Sequence, residues 1–385
     1  MAQQGTAPLR RGWTTGACAA AAARAAFAAL LTGRFPDPVT IRLPRGGMAS
    51  FALALAELRD GSARAAIVKD AGDDPDVTHG ALIVAELAWG VPGSGVRFCA
   101  GAGVGRVTRP GLPLAIGEPA INPAPRAMIR AALGDVAEAN GAALSGEMGP
   151  DVTVTIAIPG GERLALRTMN ARLGIVGGLS VLGTTGIVVP YSCSSWIHAI
   201  HRGIDVARAA GLDHIAAATG ATSEEAVQRL YQLPDHALID MGDFVGGTLK
   251  YLRRRPVARL TLAGGFAKFA KLACGHLDLH SSRSRVDGAA LARLLAGLGA
   301  DPAITTAAAC ADSAAGILAI AGELGTRLAE AVARRAREAA LATLCADILV
   351  EVAIVDRAGD FLARVGAPHD STAGRFEPTP NRVPP

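Results

Sequence analysis

Four short apolar runs recur between residues 174 and 265, and each ends abruptly in glycine, threonine or aspartate. The residues at these ends are Gly183, Thr184, Thr185 and Gly186; Thr219 and Gly220; Asp240, Asp243 and Phe244; and Gly264 and Gly265. Helix-length segments separate the runs, which is typical of buried parallel strands in an α/β sheet. Such sheets bind ligands beyond the carboxyl ends of their strands, so these ends together predict a ligand site.

The earlier part of the chain has a different pattern, with predicted strands that follow one another directly. The alanine-rich residues 17–31 predict a helix that Thr14 or Thr15 caps. Apolar or alternating stretches predict strands over residues 39–43, 51–58, 63–69 and 151–158. The expected fold class is an α+β N-terminal domain followed by an α/β C-terminal domain that is Rossmann-like, mostly parallel and three-layered.

The change of pattern sets the expected domain boundaries. We place the α+β domain at residues 1–168 and the α/β domain at residues 169–366. Two domains suit a chain of 385 residues, because each is long enough to bury a core. The proline-rich residues 367–385 are predicted to be a disordered tail.

Composition narrows the classes of function. The net charge is +4 and aromatic residues make up 4% of the chain, which argues against a nucleic-acid partner. No apolar run reaches the roughly 18 residues of a membrane-spanning helix, and no signal-peptide cleavage pattern follows the start. We therefore expect a cytoplasmic protein with no membrane partner. The six cysteines are scattered without a CxxC pair, which favours reduced, mostly buried thiols.

One glycine-rich segment resembles part of a dinucleotide-binding loop. Gly101, Gly103 and Gly105 follow a predicted strand. That fingerprint needs a further glycine at the start of a helix, whereas the residues from Arg106 to Pro110 carry no helix signal. A glycine-rich connection is the favoured interpretation.

Residues 70–79 hold the densest acidic cluster: Asp70, Asp73, Asp74 and Asp76, with Thr78 and His79. Four carboxylates in one turn repel each other unless they have a partner. The turn is a candidate for binding a cation or for supplying a base. The alternative is a solvated turn in which Asp76 or Thr78 caps a following helix, and the sequence leaves both open.

A second cluster places metal-type ligands at alternate positions: Cys274, His276, Asp278 and His280. On a strand these four side chains would share one face, a spacing that suits zinc or another transition metal. Metal sites usually draw ligands from more than one segment. Histidines that form hydrogen bonds or contact a substrate are therefore the alternative.

The strand ends agree in chemistry as well as in position. Glycine lets a ligand approach the backbone, and threonine hydroxyls and helix-start amides bind polar groups. Asp240 and Asp243 are suited to accept hydrogen bonds from a ribose diol or to hold a cationic group. Every parallel sheet needs tight turns, but four coincident ends favour a ligand site.

Several longer motifs resemble one known family. They are RGWTTGACAA at residues 11–20, KDAGDDPDVTHG at 69–80, GVGRVTRPG at 103–111, INPAPR at 121–126, LGIVGGLSVLGTTG at 173–186 and DFVG at 243–246. In order and spacing they resemble the cobalt-precorrin-5B C(1)-methyltransferase family of cobalamin biosynthesis. The chain departs from that pattern at residues 191–196, where many members have an acidic turn, and at Ala221, where a larger polar residue is common.

The resemblance implies an S-adenosyl-L-methionine-dependent methyltransferase. It would methylate C1 of the cobalt-corrinoid substrate cobalt-precorrin-5B and give cobalt-precorrin-6A, on the tetrapyrrole route to cobalamin. Cobalt would enter within the substrate, so no protein-bound metal is expected. Two alternatives stay open: a metal-dependent hydrolase that uses Cys274, His276, Asp278 and His280, and a non-catalytic corrinoid-binding protein. The sequence also leaves a homo-oligomer open.

With that substrate in view, residue roles are assigned from strand-end geometry and charge. All the strand-end residues named above are expected to bind the cofactor, in an α/β cofactor-binding domain. The α+β domain would cover the macrocycle. The expected base is His79, Asp73 or Asp74. The residues expected to contact substrate are Thr14, Thr15, Asp70, Thr78, Arg109, Arg126, Lys268 and Lys271, with the cations pairing to substrate carboxylates.

Overall fold

The computed structural model describes residues 8–142 and 150–366. It has a mixed α/β fold that divides into two compact units, Met1–Cys193 and Ser194–Pro385. The tail predicted over residues 367–385 lies outside the described residues.

The first unit is built on a five-stranded sheet in the order β4-β5-β6-β9-β7, antiparallel except for the parallel pair of β7 with β9. Its elements are β1 (Gly12–Trp13), α1 (Thr15–Thr32), β2 (Val39–Arg42), β3 (Met48–Phe51), β4 (Leu55–Arg59), β5 (Ser62–Val68), β6 (Leu82–Trp89), β7 (Val96–Ala100), β8 (Arg106–Val107), α2 (Pro123–Ala139), β9 (Val152–Ala157), α3 (Gly161–Ala165), β10 (Ile175–Val176) and β11 (Ile187–Val188).

Helix α1 lies at the centre of this unit. The Thr14 hydroxyl accepts a hydrogen bond from the Ala17 amide at 3.1 Å, and Gly33 ends the helix in the left-handed conformation. Its small side chains let β5, β6 and α2 pack closely around it, and Phe27 is fully buried. The helix is long and apolar enough to cross a membrane, but 72% of it is buried inside the protein, as in a core helix.

The second unit contains a sheet in the order β13-β12-β14-β15-β16, in which only β16 runs antiparallel to its neighbour. Its elements are α4 (Cys193–Ala209), β12 (His214–Ala218), α5 (Ala221–Tyr231), β13 (Leu238–Asp240), α6 (Val245–Leu252), β14 (Arg259–Gly265), α7 (Phe266–Ala273), α8 (Gly288–Gly297), α9 (Pro302–Ala309), α10 (Ala314–Ala321), α11 (Gly325–Leu344), β15 (Leu349–Val355) and β16 (Phe361–Val365), with short 3₁₀ turns at Asp235–Ala237 and Gly322–Leu324.

Helices cover both faces of this sheet. Successive residues of a strand point to opposite faces. Ala216 and Ala218 of β12 belong to a small cluster under α5, whereas Ile215 and Ala217 belong to the large core that includes α7 and α11. The two cores explain why these strands are apolar on both sides.

Three of the four predicted strand runs are confirmed as β12, β13 and β14. The first run is a correction. Residues 174–190 contribute only the two-residue strands β10 and β11, which pair with β8 and β1 in the first unit. Glycines at positive φ, among them Gly177, Gly183 and Gly186, interrupt the run and prevent a longer strand. The units consequently divide at residues 193 and 194, beyond the boundary at 168 expected from the sequence.

Two further differences concern elements and thiols. The acidic turn precedes strand β6, not the helix that was the alternative interpretation, and β16 was not predicted. All six cysteines are free, as expected, but only Cys18 is buried and the other five are exposed. Burial raises the pKa of the Cys18 thiol to about 12.

Candidate functional site

The carboxyl ends of β12, β13 and β14 form one edge of the sheet in the second unit. Strand β12 lies in the middle, with β13 on one side and β14 on the other. After β12, the chain adds β13 on one side and then returns to add β14 on the other side, so the strand order switches at β12. Ligands bind preferentially at such a switch point, outside the strand ends.

Lys268 of α7 connects the loops at this edge. Its Nζ donates a hydrogen bond of 2.9 Å to the carbonyl oxygen of Thr219, after β12. The same Nζ lies 3.2 Å from Oδ1 of Asp243, after β13. This ion pair lacks hydrogen-bond alignment, so the buried Oδ1 atom has no hydrogen-bond partner. A ligand donor would satisfy that oxygen.

The glycines at this edge do two different things. A Cβ on Gly264 would lie 2.4 Å from the Thr219 hydroxyl oxygen, so this glycine allows two loops to touch. A Cβ on Gly220 or Gly265 would meet nothing within 4 Å. Helices α5 and α7 begin directly after these two open glycines, and their first amides need acceptors. We call the space bounded by Thr219, Gly220, Asp243, Gly265 and Lys268 the strand-end cleft.

Aromatic side chains flank the loop after β13. The Trp196 indole donates a 3.1 Å hydrogen bond to the Asp240 carbonyl oxygen and stands close to Gly242. The Phe244 ring lies 6.3 Å from that of Trp196. Trp196 is 47% exposed and was not singled out from the sequence. The sequence offered one sign that Trp196 could be functional, namely its position within residues 191–196, where the chain departs from the family pattern.

The predicted cofactor residues 183–186 lie in the first unit, around the start of α1. Gly183 has φ of +119°, and a Cβ there would lie 2.3 Å from the Thr14 Cβ. The Gly16 amide donates to the Leu182 carbonyl, and the Thr15 hydroxyl bonds the Leu182 backbone. Gly183, Thr14 and Thr15 therefore hold α1 in place, and both threonine hydroxyls form hydrogen bonds within the first unit.

The acidic turn has partners for each carboxylate. Asp70 forms a bidentate pair with Arg10, and this contact with a hydrogen bond from the Gly72 amide lowers the pKa of Asp70 to about 2. Asp76 binds the buried Lys69 at 2.7 Å and accepts hydrogen bonds from Thr78. Arg10 and Lys69 thus supply the positive charges that offset the repulsion between the carboxylates of this turn. Neither residue was identified as a partner from the sequence.

The three candidates for a base in this turn are also engaged. Nδ1 of His79 accepts a hydrogen bond from the Ala71 amide at 3.1 Å. Nε2 must then carry the proton, so neutral His79 can donate through Nε2 but cannot accept a proton there. Asp73 accepts from the Arg10 amide and Asp74 from the Tyr191 amide. These contacts give the turn a structural role.

The cationic side chains expected to contact substrate differ in whether they already bind acceptors within the protein. Arg126 is mostly buried and donates to Glu118 at 2.7 Å and to two backbone carbonyls. Lys271 is buried and donates to the Leu279 carbonyl at 2.7 Å. Nη1 of Arg109 is buried without a hydrogen-bond partner, so Arg109 retains the capacity to bind an anion.

The remaining sequence motifs are structural connections. A Cβ on Gly103 would lie 1.9 Å from the Ile158 carbonyl oxygen, so the segment around Gly103 is a close backbone crossing. Within residues 8–142 and 150–366, no group of three or more His, Cys, Asp or Glu side chains can hold a metal ion. Nδ1 of His280 instead contacts the Ser282 hydroxyl at 2.8 Å, and Cys274 is exposed. The hydrolase alternative therefore lacks its ligand set in the described residues.

Comparison with known proteins gives matches over most of the chain. Residues 2–190 match the family model CbiD, and residues 278–366 match the model CbiD, C-terminal domain. The cobalt-precorrin-5B C(1)-methyltransferase of Paramagnetospirillum magneticum is 58% identical, over 91% of this chain and 96% of that protein. The chain belongs to this family. The enzyme of the same name from a Bradyrhizobium species is 59% identical, over 94% of this chain and 95% of its own.

A solved structure of the cobalamin biosynthesis protein CbiD from Archaeoglobus fulgidus is 27% identical and covers 66% of this chain and 77% of its own, with a TM-score of 0.36. The two family models match residues on either side of 191–277. The strand-end cleft falls within that interval. Its assignment therefore depends on the geometry described above.

Proposed function

We propose that this chain is an enzyme of cobalamin biosynthesis that methylates C1 of cobalt-precorrin-5B and forms cobalt-precorrin-6A. The observation that carries the proposal is the identity of 58–59% to proteins named for that reaction, over more than 90% of either chain. A methyltransferase needs a methyl donor. We assign that role to S-adenosyl-L-methionine, with the cell's cytoplasm as the location.

The strand-end cleft is the proposed site for this cosubstrate, in a second unit that we interpret as Rossmann-like. Oδ1 of Asp243, which pairs with the Lys268 ammonium but accepts no aligned hydrogen bond, suits a ribose hydroxyl, and the open backbone at Gly220 and Gly265 leaves room for a ligand. The first amides of α5 and α7 suit a carboxylate. Thr219, Asp240 and Phe244 complete the proposed contacts, whereas Gly264 serves the packing of the loops.

Residues 183–186, which the sequence also predicted to bind the cofactor, belong to the first unit, where Gly183 and Gly186 pack against the start of α1. In that unit Arg109 is the proposed substrate contact. Its buried Nη1 lacks an acceptor, and the peripheral carboxylates of the corrinoid would provide one.

Methyl transfer from a sulfonium is an in-line displacement, and S-adenosyl-L-methionine supplies an activated methyl group. The protein's task is then to hold the carbon nucleophile in line with that methyl and to exclude water. The cleft fits this task because hydrogen bonds already hold the Lys268 ammonium and the Asp243 backbone before a ligand arrives. No general base is assigned in the acidic turn, since its candidates already bind the backbone.

The proposal is tested by turnover with a labelled donor. Purified protein, cobalt-precorrin-5B and S-adenosyl-L-methionine carrying a deuterated methyl should give a product with one labelled methyl group by mass spectrometry. Reactions without protein or without donor are the controls. Absence of labelled product from folded protein that binds both reactants would refute the activity.

The site is tested by replacing Asp243. Asp243→Ala should weaken S-adenosyl-L-methionine binding by about tenfold or more, the size expected for losing a hydrogen bond to a charged group. The matched control is Asp213→Ala, because Asp213 is exposed and stands at the opposite end of β12. Equal affinities of both variants by calorimetry would exclude this placement while leaving the reaction itself untouched.

A further inference from the structure

Helix α7 holds the loop after β13 at two points. The first is Lys268, whose Nζ lies between the Thr219 carbonyl oxygen at 2.9 Å and the Asp243 carboxylate at 3.2 Å. One ammonium group thus joins the loops that follow β12 and β13 from a helix that follows β14. All three loops border the strand-end cleft.

The second point is Lys271, one helical turn further along. Its buried Nζ donates to the Leu279 carbonyl at 2.7 Å, and the Leu279 amide in turn donates to the Asp243 carbonyl at 2.9 Å. The Gly246 amide also donates to the Leu277 carbonyl at 2.9 Å. The segment with the alternating Cys and His residues is therefore a strap between α7 and the backbone of Asp243.

Lysine is rare in this chain, which makes its positions informative. The sequence contains four lysines, Lys69, Lys250, Lys268 and Lys271, among 38 basic residues. All but Lys250 make a contact of 2.7 to 2.9 Å within the protein. An ammonium group is a compact charge with three donors, whereas a guanidinium is a broad planar fork. At Lys268 the compact group fits between two acceptors that belong to different loops.

We infer that Lys268 is a positioning residue that fixes the spacing of the loops after β12 and β13 and aims Asp243 into the strand-end cleft. The inference rests on the proposed cosubstrate site. Its alternative is that Lys268 binds the carboxylate of the ligand directly. The contacts favour positioning, since the ammonium already faces two protein acceptors and its side chain is only 33% exposed.

Two ligands distinguish positioning from direct contact. Affinities for S-adenosyl-L-methionine and for its decarboxylated analogue are measured by calorimetry with the wild type, Lys268→Met and Lys268→Arg. Lys268→Met should weaken both ligands by the same factor, on the order of tenfold. Lys268→Arg should recover part of the loss for both, because it keeps the charge but not the shape. Lys250→Met, at an exposed position, is the control and should bind as the wild type does.

A loss confined to the ligand that carries a carboxylate would show direct contact and overturn the inference. A second measurement needs no ligand. Hydrogen exchange in residues 219–224 and 241–246 should be faster in Lys268→Met than in the wild type, while the strand β14 remains protected. Unchanged exchange in both loops would also overturn the inference. If the wild type bound no S-adenosyl-L-methionine, the proposed cosubstrate would fail, yet the exchange result would still decide whether Lys268 holds the loops.

Discussion

Two regions of this protein are rich in glycine, threonine and aspartate, but they use these residues in opposite ways. In the first unit, a Cβ on Gly12, Gly72 or Gly183 would come within 2.0 to 2.3 Å of a neighbouring segment. In the strand-end cleft of the second unit, a Cβ on Gly220 or Gly265 would meet no atom within 4 Å. The same residue type permits close contact in one region and open access in the other.

The acidic residues differ in the same way. Asp70 and Asp76 of the first unit accept several hydrogen bonds and ion pairs each, whereas one oxygen of Asp243 has no aligned donor. Filled glycine positions and satisfied carboxylates indicate a structural junction. Open glycine positions beside an unsatisfied carboxylate oxygen indicate a place for a ligand. Composition alone cannot separate the two cases.

The largest expected effect is a loss of stability in the first unit, where glycines permit close contact between segments. Gly183→Ala should destabilise the first unit by about 3 kcal/mol, since it combines an unfavourable positive φ with a steric clash. Its new Cβ would lie 2.3 Å from the Cβ of Thr14, which caps α1. Gly177→Ala is the control, because Gly177 also has positive φ but open surroundings, and it should cost about 1–2 kcal/mol. Equal losses in chemical denaturation would mean that close contact at Gly183 contributes nothing.

Gly264 and Gly265 allow the same comparison between a filled and an open glycine position at the carboxyl end of β14. Gly264→Ala should cost about 1–3 kcal/mol of stability, because its Cβ would press on Thr219 and Phe269. Gly265→Ala should stay within about 1 kcal/mol of the wild type, since its φ of −74° suits alanine. It should nevertheless weaken S-adenosyl-L-methionine binding. Thermal unfolding and calorimetry on both variants measure the two effects, and unaltered ligand affinity in Gly265→Ala would contradict an open cleft.

The smallest expected effect is a difference between the two units in how their stability changes as the pH falls. Burial lowers the pKa of His201 and His214, both in the second unit, below the ordinary 6.5. The unfolded chain then binds more protons than the folded one just below pH 6.5, so the second unit loses stability as the pH falls from there. The lowered pKa values of Asp70 and Asp76 in the first unit act in the same direction, but only below about pH 4.

Hydrogen exchange in β12 and in β5, followed between pH 7 and pH 5 and corrected for intrinsic rates, measures the two units separately. Protection in β12 should decline relative to protection in β5. The decline should be smaller in His214→Gln, which removes one of the two histidines. A parallel decline in both strands would show that the histidines do not distinguish the units.

Much of the second unit was predictable because its strands are short, apolar on both sides and sharply ended. Strands β12, β13 and β14 and their polar ends follow from that pattern. The run that ends at Gly183 has the same composition, yet it belongs to the first unit. Local sequence could not reveal this, since the contact of Gly183 with Thr14 joins residues far apart in the chain.

The site was predictable in its residue types but not in its contacts. Asp243 and Lys268 were both identified as functional candidates, but for different ligands, the cofactor and the substrate. Their ion pair depends on β13 and β14 lying on opposite sides of β12, which the sequence order does not specify. Strand β6 was missed for a related reason. Asp76 and Thr78 are typical helix caps, but Asp76 instead binds the buried Lys69.

The central position of α1 has a consequence for synthesis of the chain. This helix is complete by residue 32, but the elements that cover it, β5, β6 and α2, extend to residue 139. A growing chain on the ribosome therefore cannot cover every face of this apolar helix until about a hundred further residues have been added. Such a segment is a natural target for chaperones that bind nascent chains. The first unit can bury its own beginning only after most of its length has emerged.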